Sequence, residues 1–253
     1  MNECNVTSFH EYVECVEEVS RKGFILSRGQ KKDYPLLPSA LRVDSDGKRL
    51  FSDTSVNKFI KDFERLSVAY LRNTDGLTEQ DWKVYAQHFG VPTRLLDFTH
   101  SPLISLMFAV EEAFLMDDDG EFAVVWFLNP RELNALTINK MEISDIVSSK
   151  DDLDSASGPF VVSAKMRNER IAAQNGLFVY FKYNEPLNEV RDVDKFLIKV
   201  TIPHNKCKEM LVSLYNHGMR FNDLYPELTS ISKDILLANS VSDYYKNEEM
   251  ADE

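Results

Sequence analysis

The chain has 253 residues, 43% of them hydrophobic and 28% charged, with a formal net charge of −12. This balance excludes a disordered chain, and the acidity excludes a broad basic face for duplex nucleic acid. Cys4, Cys15 and Cys207 form an odd set with no C-x-x-C or Cys/His spacing, which speaks against a disulfide framework or structural zinc.

The N-terminus does not read as a signal peptide, because Glu3, His10, Glu11 and Glu14 interrupt its apolar residues. Residues 1–22 are expected to form a helix packed on the rest of the chain, capped by Thr7 or Ser8 and ended by Gly23. Residues 23–30 read as a short buried strand closing on Arg28 and Gly29, and residues 34–42 as an ordered non-helical connection. A helix is expected over about 56–72, with Phe59, Ile60, Phe63, Leu66 and Tyr70 at helical spacing. Thr78 caps the next helix and Gly90 ends it. Residues 95–98 read as a strand, and Ser101 with Pro102 starts a helix running to about residue 116. The acidic turn 117–120 reads as solvated and precedes a strong strand over 121–128 and a short helix from Asn129-Pro130. Residues 144–158 read as a mobile loop, 169–173 as helix, and 177–181 and 196–202 as strands. Helices are expected over 204–216 and 226–237, and 244–253 reads as a frayed acidic end. No apolar run approaches the roughly 20 residues that span a bilayer, so the expected location is the cytoplasm with no membrane contact.

The most informative stretch is residues 87–99, QHFGVPTRLLDFT. Its apolar residues imply burial, yet it carries Gln87, His88, Thr93, Arg94, Asp97 and Thr99, which need partners there. Either Arg94 and Asp97 pair with each other, or some of these groups face a polar cleft. The start of the Pro102 helix is an anion site if open, unless Ser101 or Thr99 satisfies it. His88 is a base or a hydrogen-bonded structural residue. Arg42 closes over a phosphate or pairs on the surface with Asp44 or Asp46.

Residues 27–30, SRGQ, together with YPLLPSALR over 34–42 and the thirteen-residue stretch, resemble the FRG domain family. Ser27 stands where the family's phenylalanine is usual, and Phe98 where a tryptophan is. The resemblance continues through Ala109-Val110-Glu111, the segment from Arg170 through Gln174 and Gly176 to Phe178, and Leu224 to Leu228, spanning about 23–237. It implies one FRG domain over 23–240 and an acidic tail over 241–253.

The family's motif layout is similar to that of the ADP-ribosyltransferase superfamily. This implies an α+β domain with a mixed, largely antiparallel sheet flanked by helices. It implies NAD as substrate, with no metal. Arg28 would grip the pyrophosphate with Arg94, Gln30 and Arg42. Thr93, Leu96 and Thr99 would line the cofactor site, and Asp97 and Gln174 would orient the ribose and stabilise its developing charge. Gln174 takes the place of the usual glutamate, which speaks against transfer to protein side chains and leaves open a nucleic-acid acceptor or plain NAD hydrolysis. The implied setting is a toxin or phage-defence effector with an RNA or protein acceptor and an antitoxin or other inhibitory protein. A non-catalytic nucleotide, nucleic-acid or protein binding module is the alternative. A metal-dependent nuclease built on Asp97, Glu111 and Asp117–Asp119 lacks a convincing ligand set.

Overall fold

The computed structural model describes residues 2–71, 74–115, 122–164 and 176–251. The strands are β1 (Asn2–Asn5), β2 (Leu26–Gln30), β3 (Leu95–Thr99), β4 (Phe122–Leu128), β5 (Ser144–Asp145), β6 (Phe160–Ser163), β7 (Gly176–Tyr180) and β8 (Leu197–Pro203). They form one mixed sheet in the order β1-β8-β4-β2-β3-β7-β6-β5. The β1–β8 and β5–β6 pairs are parallel and the others antiparallel. The expected mixed, largely antiparallel α+β architecture is therefore present.

Strand alternation decides how the sheet is covered. In β4, Ala123, Val125 and Phe127 face one apolar cluster, while Val124, Trp126 and Leu128 face another. The first cluster packs helices α1 (Phe9–Arg21), α4 (Pro102–Val110), α7 (His204–Asn216), α8 (Phe221–Leu224) and α9 (Leu228–Ala251) on one half of the sheet. The second spans both halves beneath the connection carrying Leu36, Leu37 and Leu41. The far half has its own cluster, in which Leu95, Phe160, Val162 and Phe178 pack with Val84.

Helix ends follow the local chemistry. Ser8 caps α1 by accepting from the Glu11 amide, and Thr78 and Asp81 form a reciprocal capping box at α3 (Glu79–His88). Gly90 ends that helix at φ +81. Asn129 caps α5 (Pro130–Ile138), whose buried Asn134 exchanges two hydrogen bonds with Val161 of β6, at 2.7 and 3.1 Å.

Several expectations need correction. Strand β1 was not expected; it completes the sheet by pairing with β8. Helix α2 (Asp53–Ser67) starts earlier than expected because Ser52 supplies the cap and Asp53 the first-turn charge. Helix α4 stops at Val110 rather than near 116. The segment read as a mobile loop holds β5 and α6 (Lys150–Ser155), pinned by buried Ile146 and Ala156 and by an ion pair of Lys140 with buried Asp152. The frayed end is instead the end of α9, which runs to Ala251 with Val241 buried and Tyr244 against Phe114. The expected helix over 169–173 and the acidic turn over 117–120 lie outside the described residues. Among the described residues, no helix is long and apolar enough to cross a membrane.

Candidate functional site

The two halves of the sheet part between β2 and β3, which pair only at Ser27 and Thr99. Beyond that point lies a cleft of about 450 Å³. Register puts Ser27, Gly29, Thr99 and Asp97 toward α4, while Arg28 shares a face with Leu26 and Gln30. The opening lets Arg28 reach across: its NH1 donates to the Asp97 carbonyl at 2.9 Å and lies 3.8 Å from the carboxylate.

Gly29 sets the depth of the cleft. A Cβ there would lie 1.8 Å from the Ser105 carbonyl oxygen, so only glycine lets α4 press against β2. Ser27 and Ser105 join their hydroxyls at 2.8 Å across this contact.

Asp97 is held by its neighbours. Gln87 donates to its carboxylate at 3.0 Å, and Thr93 donates in turn to the Gln87 carbonyl. Burial pushes the Arg28 guanidinium down from its ordinary value, Asp97 opposes that shift, and Arg42 adds to it. The Arg28 Nε is buried and has no acceptor among the described residues. Exposed Arg42 also lines the cleft and makes no ion pair among the described residues, so the alternative pairing with Asp44 or Asp46 is absent. The cleft thus presents one buried and one exposed guanidinium with donors to spare, in an otherwise acidic chain.

Six of the candidate catalytic and cofactor-site residues line this space: Arg28, Gln30, Arg42, His88, Asp97 and Thr99. Gln30 has a structural duty as well, since its carbonyl accepts from the Trp126 indole at 2.9 Å. Three residues lie elsewhere. Leu96 is core, 2% exposed. Thr93 is equally buried and serves Gln87. Arg94 does not pair with Asp97; it turns out of the cleft, donating to the Lys182 carbonyl at 2.7 Å and to Asp53 at 2.7 Å. Gln174 lies outside the described residues, although Gly176 and Phe178 of β7 line the cleft. The start of α4 is capped by its own chain: Ser101 accepts from the Ile104 amide, and Thr99 from the Ser101 amide. It is not an open anion site.

Gln87, one of the polar groups of the thirteen-residue stretch, lines the cleft as well; sequence reasoning missed Tyr34, Phe108 and Tyr225, and weighed Glu111 only as a metal-ligating carboxylate. Ser105, Phe108 and Glu111 recur every three residues on α4 and its end, a face readable once that helix is known to border the cleft. Among the described residues, no group of three His, Cys, Asp or Glu side chains is placed to hold a metal ion.

The site therefore defines an α+β domain whose split sheet holds an arginine-floored polar cleft. Residues 24–118 match the family model described as FRG domain, and that matched stretch, which is similar to FRG domains, supplies β2, β3, α4 and most of the cleft's polar groups. No curated protein and no solved structure matches the chain.

Proposed function

We propose that the cleft binds NAD as a substrate and that the protein is an ADP-ribosyltransferase-type enzyme, transferring ADP-ribose to a nucleic-acid or protein acceptor. The observation that carries this reading is Arg28: a guanidinium at the base of a split sheet, with a buried N–H that lacks an acceptor among the described residues. An anionic oxygen is the natural partner for such a group. A pyrophosphate offers several, and Arg42 stands at the rim to take another.

Breaking the nicotinamide bond develops positive charge on the ribose. The Asp97 carboxylate, oriented by Gln87 and Thr93, provides a fixed negative group for that charge. In a cell, such chemistry consumes NAD or marks a target. The reading therefore extends to a cytoplasmic toxin or antiviral effector with a dedicated inhibitor.

The test is nicotinamide release from NAD, measured with total cell RNA and lysate supplied as acceptors. Release by wild type and none by Arg28→Ala is expected. Equal rates for the two proteins would remove the proposal. The second reading, a binding module without turnover, is favoured by one observation: the Arg28 and Asp97 side chains already face each other at 3.8 Å, as in a structural ion pair. A thermal shift with ADP-ribose and no nicotinamide release would select it.

A further inference from the structure

One carboxyl in the cleft has no structural partner among the described residues. Glu111 directly follows α4, on the face that carries Ser105 and Phe108, and lies roughly 9 Å along the axis from Ser105. Because Ser105 is clamped to β2 through Ser27 and Gly29, the helix that presents Glu111 is held firmly against the cleft. Phe108 and Tyr225 meet edge to face at 5.8 Å beside it.

Stability argues against a carboxylate at this position. A negative charge at a helix C-terminus opposes the helix dipole, and Glu112 adds a second. Lys31 pairs with Glu112 rather than with Glu111. Lys233 of α9 has its ammonium over the rings of Phe221 and Tyr225, at 5.2 and 5.3 Å. Among the described residues, the Glu111 carboxyl has no hydrogen bond and no ion pair within 4 Å. Burial pushes its carboxyl above the usual carboxylate range; Lys233 and Lys31 oppose this, and Glu112 adds to it. An unpaired, partly desolvated acid facing a polar cleft is costly to keep and is placed to exchange a proton with a bound group.

We propose that Glu111 is the general base that takes the proton from the acceptor group in this cleft. This inference rests on the NAD reading. The bond between ribose C1′ and the nicotinamide nitrogen breaks, and its electron pair stays with the nitrogen, releasing neutral nicotinamide. The acceptor's oxygen or nitrogen supplies the pair for the new bond to C1′, and its proton passes to a Glu111 oxygen.

The experiment compares wild type, Glu111→Gln and Lys233→Met in nicotinamide release across pH, with melting curves in the presence and absence of ADP-ribose. Glu111→Gln is expected to keep the ADP-ribose shift and to lose at least about 100-fold in rate. The wild-type rate should rise with pH as the carboxyl ionises, and that limb should vanish in Glu111→Gln. Lys233→Met should move the limb to higher pH, since it removes a group that favours the ionised form. A raised carboxyl contributes stability below its unfolded value and loses it as pH rises through the folded one. Glu111→Gln, which cannot ionise, should therefore melt above wild type at neutral pH. A wild-type rate and pH limb in Glu111→Gln, or a lowered melting temperature, would overturn the proposal while leaving NAD turnover standing. No release by wild type, with Arg28→Ala indistinguishable from it, would overturn the NAD reading and this base with it.

Discussion

Arg28 and Arg94 sit in the same family-matched stretch and are both mostly buried, at 21% and 24% side-chain exposure, yet their surroundings assign them opposite work. Arg94 spends its donors within the chain: the carbonyls of Phe181 and Lys182 and the carboxylate of Asp53. It ties the turn before β3 to the exit of β7 and to the start of α2. Among the described residues, Arg28 has one good internal acceptor, a backbone carbonyl, and its Nε has none. A buried guanidinium with satisfied donors is a staple. One with an orphan donor beside a cavity calls for a partner, and the proposed pyrophosphate is that partner.

Substitutions at the two positions should therefore separate cleanly. Arg28→Ala should abolish nicotinamide release, by at least about 100-fold, and remove the melting shift with ADP-ribose, with little change in circular dichroism. Arg28→Lys should recover only part of the shift, because an ammonium cannot copy the planar fork. The next largest effect falls on the frame around Arg28. Gly29→Ala would drive a methyl into the Ser105 carbonyl, 1.8 Å away, so α4 must move off the strand. A loss of about 3 kcal/mol or more in urea unfolding is expected, and an unchanged midpoint would show that the helix–strand contact is loose.

Arg94→Ala should behave in the reverse sense. Removing a group that makes charge-assisted bonds to two carbonyls and a carboxylate should cost about 1.5–3 kcal/mol of stability. The ADP-ribose shift, measured from the lower baseline, should persist. A lost shift with unchanged stability would place Arg94 among the binding groups after all.

The sequence made the polar segment conspicuous but could not sort its members. Periodicity located β3 and α4, and cap chemistry located Thr78, Gly90 and Ser101. The direction of each side chain depends on register, and the single Ser27–Thr99 pairing depends on a sheet closed by strands far along the chain. Arg94 finds Asp53, forty-one residues earlier, a partner no local spacing announces. The region over 144–158 was misread for a related reason. Its aspartates look like a solvated loop until buried Ile146 and the Lys140–Asp152 pair place them against α5. Strand β1 is polar and largely exposed, Asn-Glu-Cys-Asn, so only its parallel partner β8 makes it a strand.

The smallest expected effect tests the staple from its other end. Asp53 opens α2 and faces both Arg49, at 2.8 Å, and Arg94, at 2.7 Å. The hydrogen bond from Arg49 is the main cause holding its carboxyl below the usual range, with Arg94 adding to it. A depressed carboxyl contributes stability above its unfolded value and loses it as pH falls through the folded one. Asp53→Asn should therefore be less stable than wild type at neutral pH, by about 0.5–1 kcal/mol given that the carboxylate is mostly exposed. The difference should shrink in acid, below the ordinary carboxylate range, and should also shrink in high salt. Combined with Arg94→Ala, the substitution should add less than its separate effect, since each removes the other's partner. Full additivity would mean that Arg94 is held by the carbonyls alone, making the staple a backbone clamp rather than an ion pair.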